Sequence, residues 1–172
     1  ALLGQEEHAQ DQWKLIFSLP VRRGSFYAAK LIFGGLLVFL ASLVLYGSIL
    51  ASGWILHLFY PITAAGPVPY IPLFRSVMTA FAASWLIIAV HTFIGLYWKS
   101  FVLASAAGVV AAVSGMIALS SQTWNRIFPW SLPASASGRA ALHPESILLL
   151  SIAGALIVSM AGGIIFSRRD VQ

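Results

Sequence analysis

His91 is the residue of this sequence with the clearest capacity for chemistry, because its imidazole lies well inside a long apolar stretch. Ionisable groups within a membrane are costly and often functional. One interpretation gives His91 a role in gating or in a proton path. The other makes it a structural residue, hydrogen-bonded to Thr92, Ser84 or a backbone carbonyl. Both interpretations stay open, and His91 is therefore a candidate intramembrane polar site.

The residues that other catalytic or metal sites require are missing from the sequence. There is no G-x-x-x-x-G-K-[ST] loop, and the nearest Lys-Ser pair, Lys99-Ser100, follows two aromatic residues. There is no cysteine and no histidine pair at the i, i+4 spacing of a metal-binding helix. Ser114 could be a nucleophile with His91 as its base, but their depths differ by roughly 10 Å where about 3 Å is needed. The sequence therefore predicts no enzyme, no metal site and no nucleotide site in this chain.

The composition is that of a membrane protein. Of 172 residues, 59% are hydrophobic and 9% are charged, and the mean hydropathy is +0.89. A soluble domain has about a quarter of its residues charged. The formal net charge of +5 comes from Lys and Arg at the ends of apolar segments. This charge therefore reports membrane topology and contact with anionic lipid headgroups, and it predicts no nucleic-acid partner.

Four apolar segments are long enough to cross a bilayer, given a rise of about 1.5 Å per helical residue and a hydrocarbon core of about 30 Å. We predict transmembrane helices at about residues 28–58, 76–98, 101–119 and 146–166. The outer loops then cover residues 59–75 and 120–145, and the second outer loop contains a short interfacial helix around Thr123 to Phe128.

The Lys and Arg residues report the orientation of these helices. With the N-terminus inside, seven of them face the cytoplasm and three face outward. The positive-inside rule therefore favours four spans with both ends of the chain cytoplasmic. The predicted fold class is an all-α integral membrane protein in which an amphipathic cytoplasmic helix precedes four transmembrane helices.

Small residues predict which membrane helices approach each other. They form one stripe in the third span and one in the last span: Ala104, Gly108, Ala112 and Gly115, and Ser151, Ala155, Ser159 and Gly163. Small side chains allow two backbones to approach closely in lipid. We therefore expect the third and last helices to pack tightly within one subunit, with a dimer seam as the alternative.

Residues 6–20 have the pattern of a short amphipathic helix. Trp13, Ile16, Phe17 and Pro20 follow the i, i+3, i+4, i+7 spacing of a narrow apolar face. Acidic residues in the first turns suit the helix dipole, and Pro20 ends the helix because it has no backbone donor. Such a helix lies on a membrane or fills a groove on a soluble partner.

The residues around this helix resemble the cytoplasmic loop of ABC-2 type permeases, in particular the branch that exports bacitracin and lantibiotic peptides. The resemblance rests on an ordered set of residues, Glu7, Trp13, Leu19-Pro20, the basic pair Arg22-Arg23 and Lys30. More loosely, it rests on the Pro-Trp-Ser-Leu-Pro stretch at 129–133 in an outer loop. In that family the amphipathic segment is a coupling helix that docks on a separate ATPase.

The resemblance implies a function and partners. This chain would be the membrane-spanning permease subunit of an ATP-driven exporter, with an antimicrobial peptide as one candidate substrate. It would carry no cofactor, because ATP and Mg²⁺ would bind to the partner ATPase. A second permease subunit, identical or related, and the lipid bilayer would be its other partners. The implied location is the bacterial cytoplasmic membrane, with several passes. The alternative is a non-transporting membrane anchor or assembly subunit of a larger complex.

The resemblance also implies residue roles. Docking on the ATPase would involve Glu6, Glu7, Trp13, Ile16, Phe17, Leu19 and Pro20. Contact with phosphate headgroups or other cytoplasmic helices would involve Arg22, Arg23 and Lys30. Since the family has six membrane helices, with this loop after the second, we expect the first two helices to be missing here. Residues 1–27 would then hold the end of a preceding helix plus the coupling loop, and 28–172 the transmembrane domain.

Overall fold

The fold is entirely helical in the part of the chain that the structure describes. The computed structural model describes residues 23–59, 69–98, 100–138 and 144–168, apart from the side chains of Arg23, Phe101 and Arg168. Every regular element within these ranges is a helix. The predicted all-α integral membrane fold is therefore confirmed.

The first and longest helix, α1, covers Arg23–Phe59, which is 37 residues. At 1.5 Å per residue it extends about 55 Å, well beyond the roughly 30 Å of a hydrocarbon core. Large apolar side chains along it, such as Ile32, Val44 and Trp54, stay more than 60% exposed. Because such a surface is unfavourable in water, it is best satisfied by contact with lipid tails.

The second predicted span consists of two helices, α2 at Tyr70–Ala83 and α3 at Trp85–Tyr97. Together they cover 28 residues, enough to cross a membrane. α2 begins six residues before the span predicted at 76. The reason is that Pro69 and Pro72 lie at the N-cap and in the first turn, where a helix needs no backbone donor. These prolines begin the helix instead of interrupting it.

Three further helices complete the described chain. They are α4 at Phe101–Ala118, α5 at Leu132–Ser137 and α6 at Pro144–Arg168, with a 3-10 turn at Trp124–Arg126 between α4 and α5. α1, the α2–α3 pair and α6 are long and apolar enough to span a membrane, and α4 is somewhat shorter. α3 packs most extensively on α6, while α5 packs against both α2 and α6.

A break at Ser84 separates α2 from α3. The Ser84 amide and hydroxyl both donate to the Phe81 carbonyl, at 3.0 and 2.7 Å. From α6, the fully buried Ser151 hydroxyl donates to the Ala83 carbonyl at 2.6 Å and accepts from the Leu86 amide at 3.4 Å. Unpaired backbone groups are costly in lipid. Ser151 therefore stabilises the break and ties it to α6.

The predicted packing of the third span on the last span is wrong. The described parts of α4 and α6 make almost no contact with each other. Gly108 and Gly115 of α4 lie against the side chain of His91 and against Trp130, and Ser151 of α6 lies at the Ala83 carbonyl. A small residue allows close approach by an aromatic or imidazole ring as well as by a second helix. The stripes therefore mark positions of close approach but do not identify which element approaches.

The segment between α4 and α6 folds back onto the bundle, and we call residues 120–138 the return segment. Ser131 and Leu132 in it are fully buried. It is fastened to α2 by the Ser76 hydroxyl, which donates to the Ser137 carbonyl at 2.9 Å. The predicted interfacial helix around 123–128 corresponds to the 3-10 turn, whereas α5 was not predicted. This segment, with its short helix and buried Ser131 and Leu132, therefore differs from the loop expected at 120–145.

Gly115→Ala tests the close packing of the return segment against α4. A Cβ at Gly115 would lie 2.7 Å from the Trp130 Cβ and 3.0 Å from its carbonyl carbon, so the backbone would have to move. Overpacking of this kind costs about 1–3 kcal/mol. We expect a lower thermal unfolding temperature for the detergent-purified variant. Gly53→Ala is the matched control, because nothing lies within 4 Å of its Cβ position. Equal stability of the two variants would contradict the observed packing.

Candidate functional site

An aromatic cluster joins three helix ends. It consists of Phe26 and Tyr27 from the first turns of α1, Leu96 from the end of α3 and Phe166 from the end of α6. The Phe166 ring stacks on Phe26 with centroids 6.0 Å apart and lies 6.3 Å from the Tyr27 ring. The start of α1 and the end of α6 therefore lie at the same end of the bundle, which we call the Arg23 end.

Tyr27 is the most buried member of the cluster, with 3% of its surface exposed. Its hydroxyl has no hydrogen-bond partner among the described residues. Gly162 of α6 makes room for it. A Cβ at Gly162 would overlap the hydroxyl oxygen and would lie 2.8 Å from Tyr27 Cζ and 3.1 Å from Phe93 Cδ2. Only glycine therefore fits beside Tyr27 in this arrangement.

Lys30 lies one turn further along α1. Its Nζ is 5.3 Å from the centroid of the Phe26 ring, within the range of a cation–π interaction. The sequence predicted Lys30 as a basic residue at the cytoplasmic boundary. The structure places it beside the aromatic cluster, where the ammonium group and the ring can stabilise the start of α1 together.

Most of the predicted coupling residues lie outside the described residues. These are Glu6, Glu7, Trp13, Ile16, Phe17, Leu19, Pro20 and Arg22, whose docking roles stay predictions. Arg23 is the first residue of α1, and its side chain is not described. Phe26 and Tyr27 follow Arg22 within five residues along the chain.

His91 forms a second cluster, separate from the first. Its half-buried ring meets the Trp130 ring edge to face, with centroids 5.6 Å apart and planes at 81°. On its other side, a Cβ at Gly108 would lie 2.8 Å from His91 Cε1. None of the described residues accepts or donates a side-chain hydrogen bond to His91, so the hydrogen-bonded interpretation finds no support here. The ring instead packs between α4 and the return segment.

Sequence reasoning did not single out Tyr27 or Gly162. The one available signal was the Gly162-Gly163 pair within an apolar helix, of which only Gly163 belonged to the predicted stripe. The aromatic residues at the start of α1 looked like ordinary interfacial residues. Which aromatic ring meets which glycine depends on residues far apart in the sequence, so spacing alone could not pair them.

The fold and these two clusters define a multi-pass helical membrane protein. In the described ranges, no group of three His, Asp, Glu or Cys residues could hold a metal ion. The features that stand out are packing contacts between helices, together with one histidine inside the bundle.

Comparison with known families agrees with this class. A family model described as "ABC-2 family transporter protein" matches residues 1–115, about two thirds of the 172 residues. The chain therefore belongs to the ABC-2 transporter family and is a permease component of an ABC transporter. Permeases of this family are membrane components that are not themselves catalytic, and they generally work with an ABC ATPase and a partner permease. Comparisons with curated proteins and with solved structures find no match.

Tyr27→Phe tests the unpaired hydroxyl. Burying a hydroxyl without a partner costs about 1–3 kcal/mol, and phenylalanine keeps the ring packed on Phe166. We therefore expect the variant to unfold at a higher temperature in detergent than the unaltered chain. Tyr27→Ala is the contrasting variant and should lose about 3–5 kcal/mol, as a buried aromatic truncation does. A Tyr27→Phe variant less stable than the unaltered chain would show that the hydroxyl has a partner.

Proposed function

We propose that this chain is the membrane-spanning permease subunit of an ATP-driven exporter, coupled to a separate ATPase through residues 6–20. The observation that supports this most directly is the position of Tyr27. It follows the coupling segment in the chain and is buried between the ends of α3 and α6. A displacement of the segment would therefore reach two membrane helices at once. Membership of the ABC-2 family supports the transport role.

In this proposal the ATPase binds ATP and Mg²⁺, and the coupling helix fills a cleft on its surface. Trp13, Ile16 and Phe17 supply the apolar contacts, since they share one face of the helix. Glu6 and Glu7 meet basic groups on the ATPase. Leu19 and Pro20 end the helix.

The proposed orientation puts the Arg23 end of the bundle in the cytoplasm of a bacterium. The clustering of basic residues at this end supports it. Arg22, Arg23 and Lys30 then lie at the level of lipid phosphates, where the ammonium group of Lys30 also remains close to Phe26.

A second permease, identical or related, completes the pathway. The substrate that we propose is an antimicrobial peptide, because Leu19-Pro20 and the 129–133 stretch resemble the branch of the family that exports such peptides.

We further propose that the contact between His91 and Trp130 closes the pathway from the outer side. Trp130 belongs to the return segment, whose helix α5 packs against α2 and α6. Its ring covers His91 within the bundle. This favours the gating interpretation of His91, because none of the described residues hydrogen-bonds to the imidazole, so it can be uncovered without breaking such a bond.

Trp13→Ala and Phe17→Ala test the coupling helix. Each removes an apolar anchor from a small interface, and such anchors contribute about 2 kcal/mol or more to binding. We expect both variants to insert normally but to lose the co-purifying ATPase and its activity. Asp11→Ala is the control, because Asp11 lies on the opposite face of the helix. Full ATPase retention by both variants, or purification with a partner that is not an ATPase, would favour the anchor subunit.

Because the sequence has no cysteine, single introduced cysteines can test whether the contact between His91 and Trp130 closes the pathway from the outer side. In proteoliposomes, His91→Cys should react slowly with a membrane-impermeant thiol reagent added from the outer side. Adding Trp130→Ala should make the reaction severalfold faster, because the covering ring is gone. Ala134→Cys lies exposed on the return segment and should react equally in both backgrounds. Equal rates for His91→Cys with and without Trp130 would disprove the closure.

A further inference from the structure

The last part of α1 continues past the point where the helix meets the beginning of α2. That meeting point is Tyr46, whose hydroxyl donates to the Tyr70 carbonyl at 3.4 Å and whose ring centroid lies 5.4 Å from that of Phe74. Residues 47–59 follow in the same helix. At 1.5 Å per residue they extend α1 by about 20 Å beyond Tyr46. We call residues 47–59 the outer extension.

The part of α1 before the outer extension already has the length of a membrane core. From Tyr27 in the aromatic cluster to Tyr46, α1 rises about 28 Å, and a hydrocarbon core is about 30 Å thick. A long helix on its own can tilt to fit the bilayer. α1, however, packs against α2, α3 and α6, which fix its direction. In the proposed orientation the outer extension therefore lies at the outer headgroups and beyond them.

The surface of the outer extension is apolar on every side. Each residue from 51 to 59 is exposed, and Ile55, Leu58 and Phe59 are 49%, 65% and 72% exposed. Nothing lies within 4 Å of the Cβ position at Gly47 or at Gly53. Lipid tails cover such side chains inside the core, but contact with water and headgroups is unfavourable for them. A protein surface must therefore cover the outer extension.

The chemistry of the outer extension fits a second copy of this chain. The segment contains no Lys, Arg, Asp or Glu, so two copies do not repel each other and a charged partner finds no opposite charge. Two copies with the same orientation in one membrane also bring their extensions to the same height. The exposed face of α4 has no such requirement. Its 18 residues extend about 27 Å, within the core, where lipid covers them.

One side of the outer extension faces away from α2, and four residues share it: Ser48, Ala51, Ile55 and Leu58. Their spacing of three, four and three residues is that of the seam between two parallel helices in a coiled coil. The small residues allow close approach, and Ile55 and Leu58 supply apolar area. The Ser48 hydroxyl donates to the Val44 carbonyl at 2.8 Å, so burying it leaves no unpaired donor.

We propose that the outer extensions of two identical copies pair along this seam, outside the hydrocarbon core. The inference rests on the proposed function and deepens it, because it makes the second permease an identical copy and assigns the surface through which the two copies meet. The pairing holds the copies together at the end of the bundle opposite to the ATPase.

Single cysteines test the pairing, because the chain has none of its own and a disulfide can form only between two copies. The two Cβ atoms must come within about 4.5 Å. Ala51→Cys and Ile55→Cys lie on the seam, and Gly53→Cys is the matched control on the opposite side at the same height. Val113→Cys reports on the exposed face of α4. Each variant is oxidised with copper phenanthroline in proteoliposomes at two lipid-to-protein ratios, and the cross-linked dimer is quantified.

We expect Ala51→Cys and Ile55→Cys to cross-link severalfold more than Gly53→Cys, and to do so equally at both lipid ratios. Equal cross-linking at all positions that falls with added lipid indicates random collision and would overturn the proposal. Preferential cross-linking of Val113→Cys would place the contact on α4 and would also overturn it. So would the absence of cross-links at both seam positions, which leaves the outer extension to lipid, to a different protein or to another part of this chain.

A charge on the seam provides a second arm in the same assay. Ile55→Arg added to Ala51→Cys brings two like charges together in the pair and should lower the cross-linked fraction severalfold. Gly53→Arg adds the same charge on the opposite side and should leave that fraction unchanged. Equal effects of the two arginines would contradict the seam.

The two proposals fail in different ways when the co-purified ATPase is measured in the same preparations. An ATPase that co-purifies with a chain lacking the seam cross-link would contradict the pairing alone. A cross-linked dimer that retains no ATPase would contradict the proposed function and leave the pairing intact.

Discussion

The arrangement of this bundle depends on one constraint, that a backbone polar group in lipid must find its partner within the protein. The Ser84 break exposes carbonyl and amide groups in the middle of the second span, and Ser151 of α6 supplies both a donor and an acceptor for them. The return segment meets the same requirement with serines. The Ser131 hydroxyl lies 2.9 Å from the Phe128 carbonyl oxygen, and the Ser135 hydroxyl donates to the Asn125 carbonyl at 2.8 Å. Interruptions of helix are thus tolerated where a neighbouring hydroxyl can reach them.

A second theme is that glycines in this protein accept rings. Gly35 lies against the Trp85 ring, Gly108 against the His91 ring and Gly162 against the Tyr27 ring. In each case the missing Cβ allows an aromatic or imidazole group from another element to approach the helix backbone. Contacts of this type bring two elements into close van der Waals contact without a directional hydrogen bond.

For an ABC-2 permease this distribution has a mechanical meaning. In the proposed function ATP is hydrolysed on another subunit, so the permease needs a rigid connection from its cytoplasmic surface to its outer surface. α6 is suited to that role because it contacts α1 at the aromatic cluster, α2 and α3 at the break, and α5 in the return segment. In our proposal the Tyr27 contact is the entry to this connection, and the contact of α6 with α5 of the return segment is its outer end.

The sequence by itself determined the all-α membrane fold, the approximate helices and the ABC-2 family, because hydropathy, helix length and a local residue order are properties of short segments. It also marked Gly108, Gly115 and Ser151 as sites of close approach. It did not determine their partners, and the expected pairing of α4 with α6 was wrong. Only the tertiary structure brought Tyr27 onto Gly162 and buried Leu132, since these contacts join residues far apart in the chain. Such pairings depend on the shapes of whole helix surfaces, which no local pattern contains.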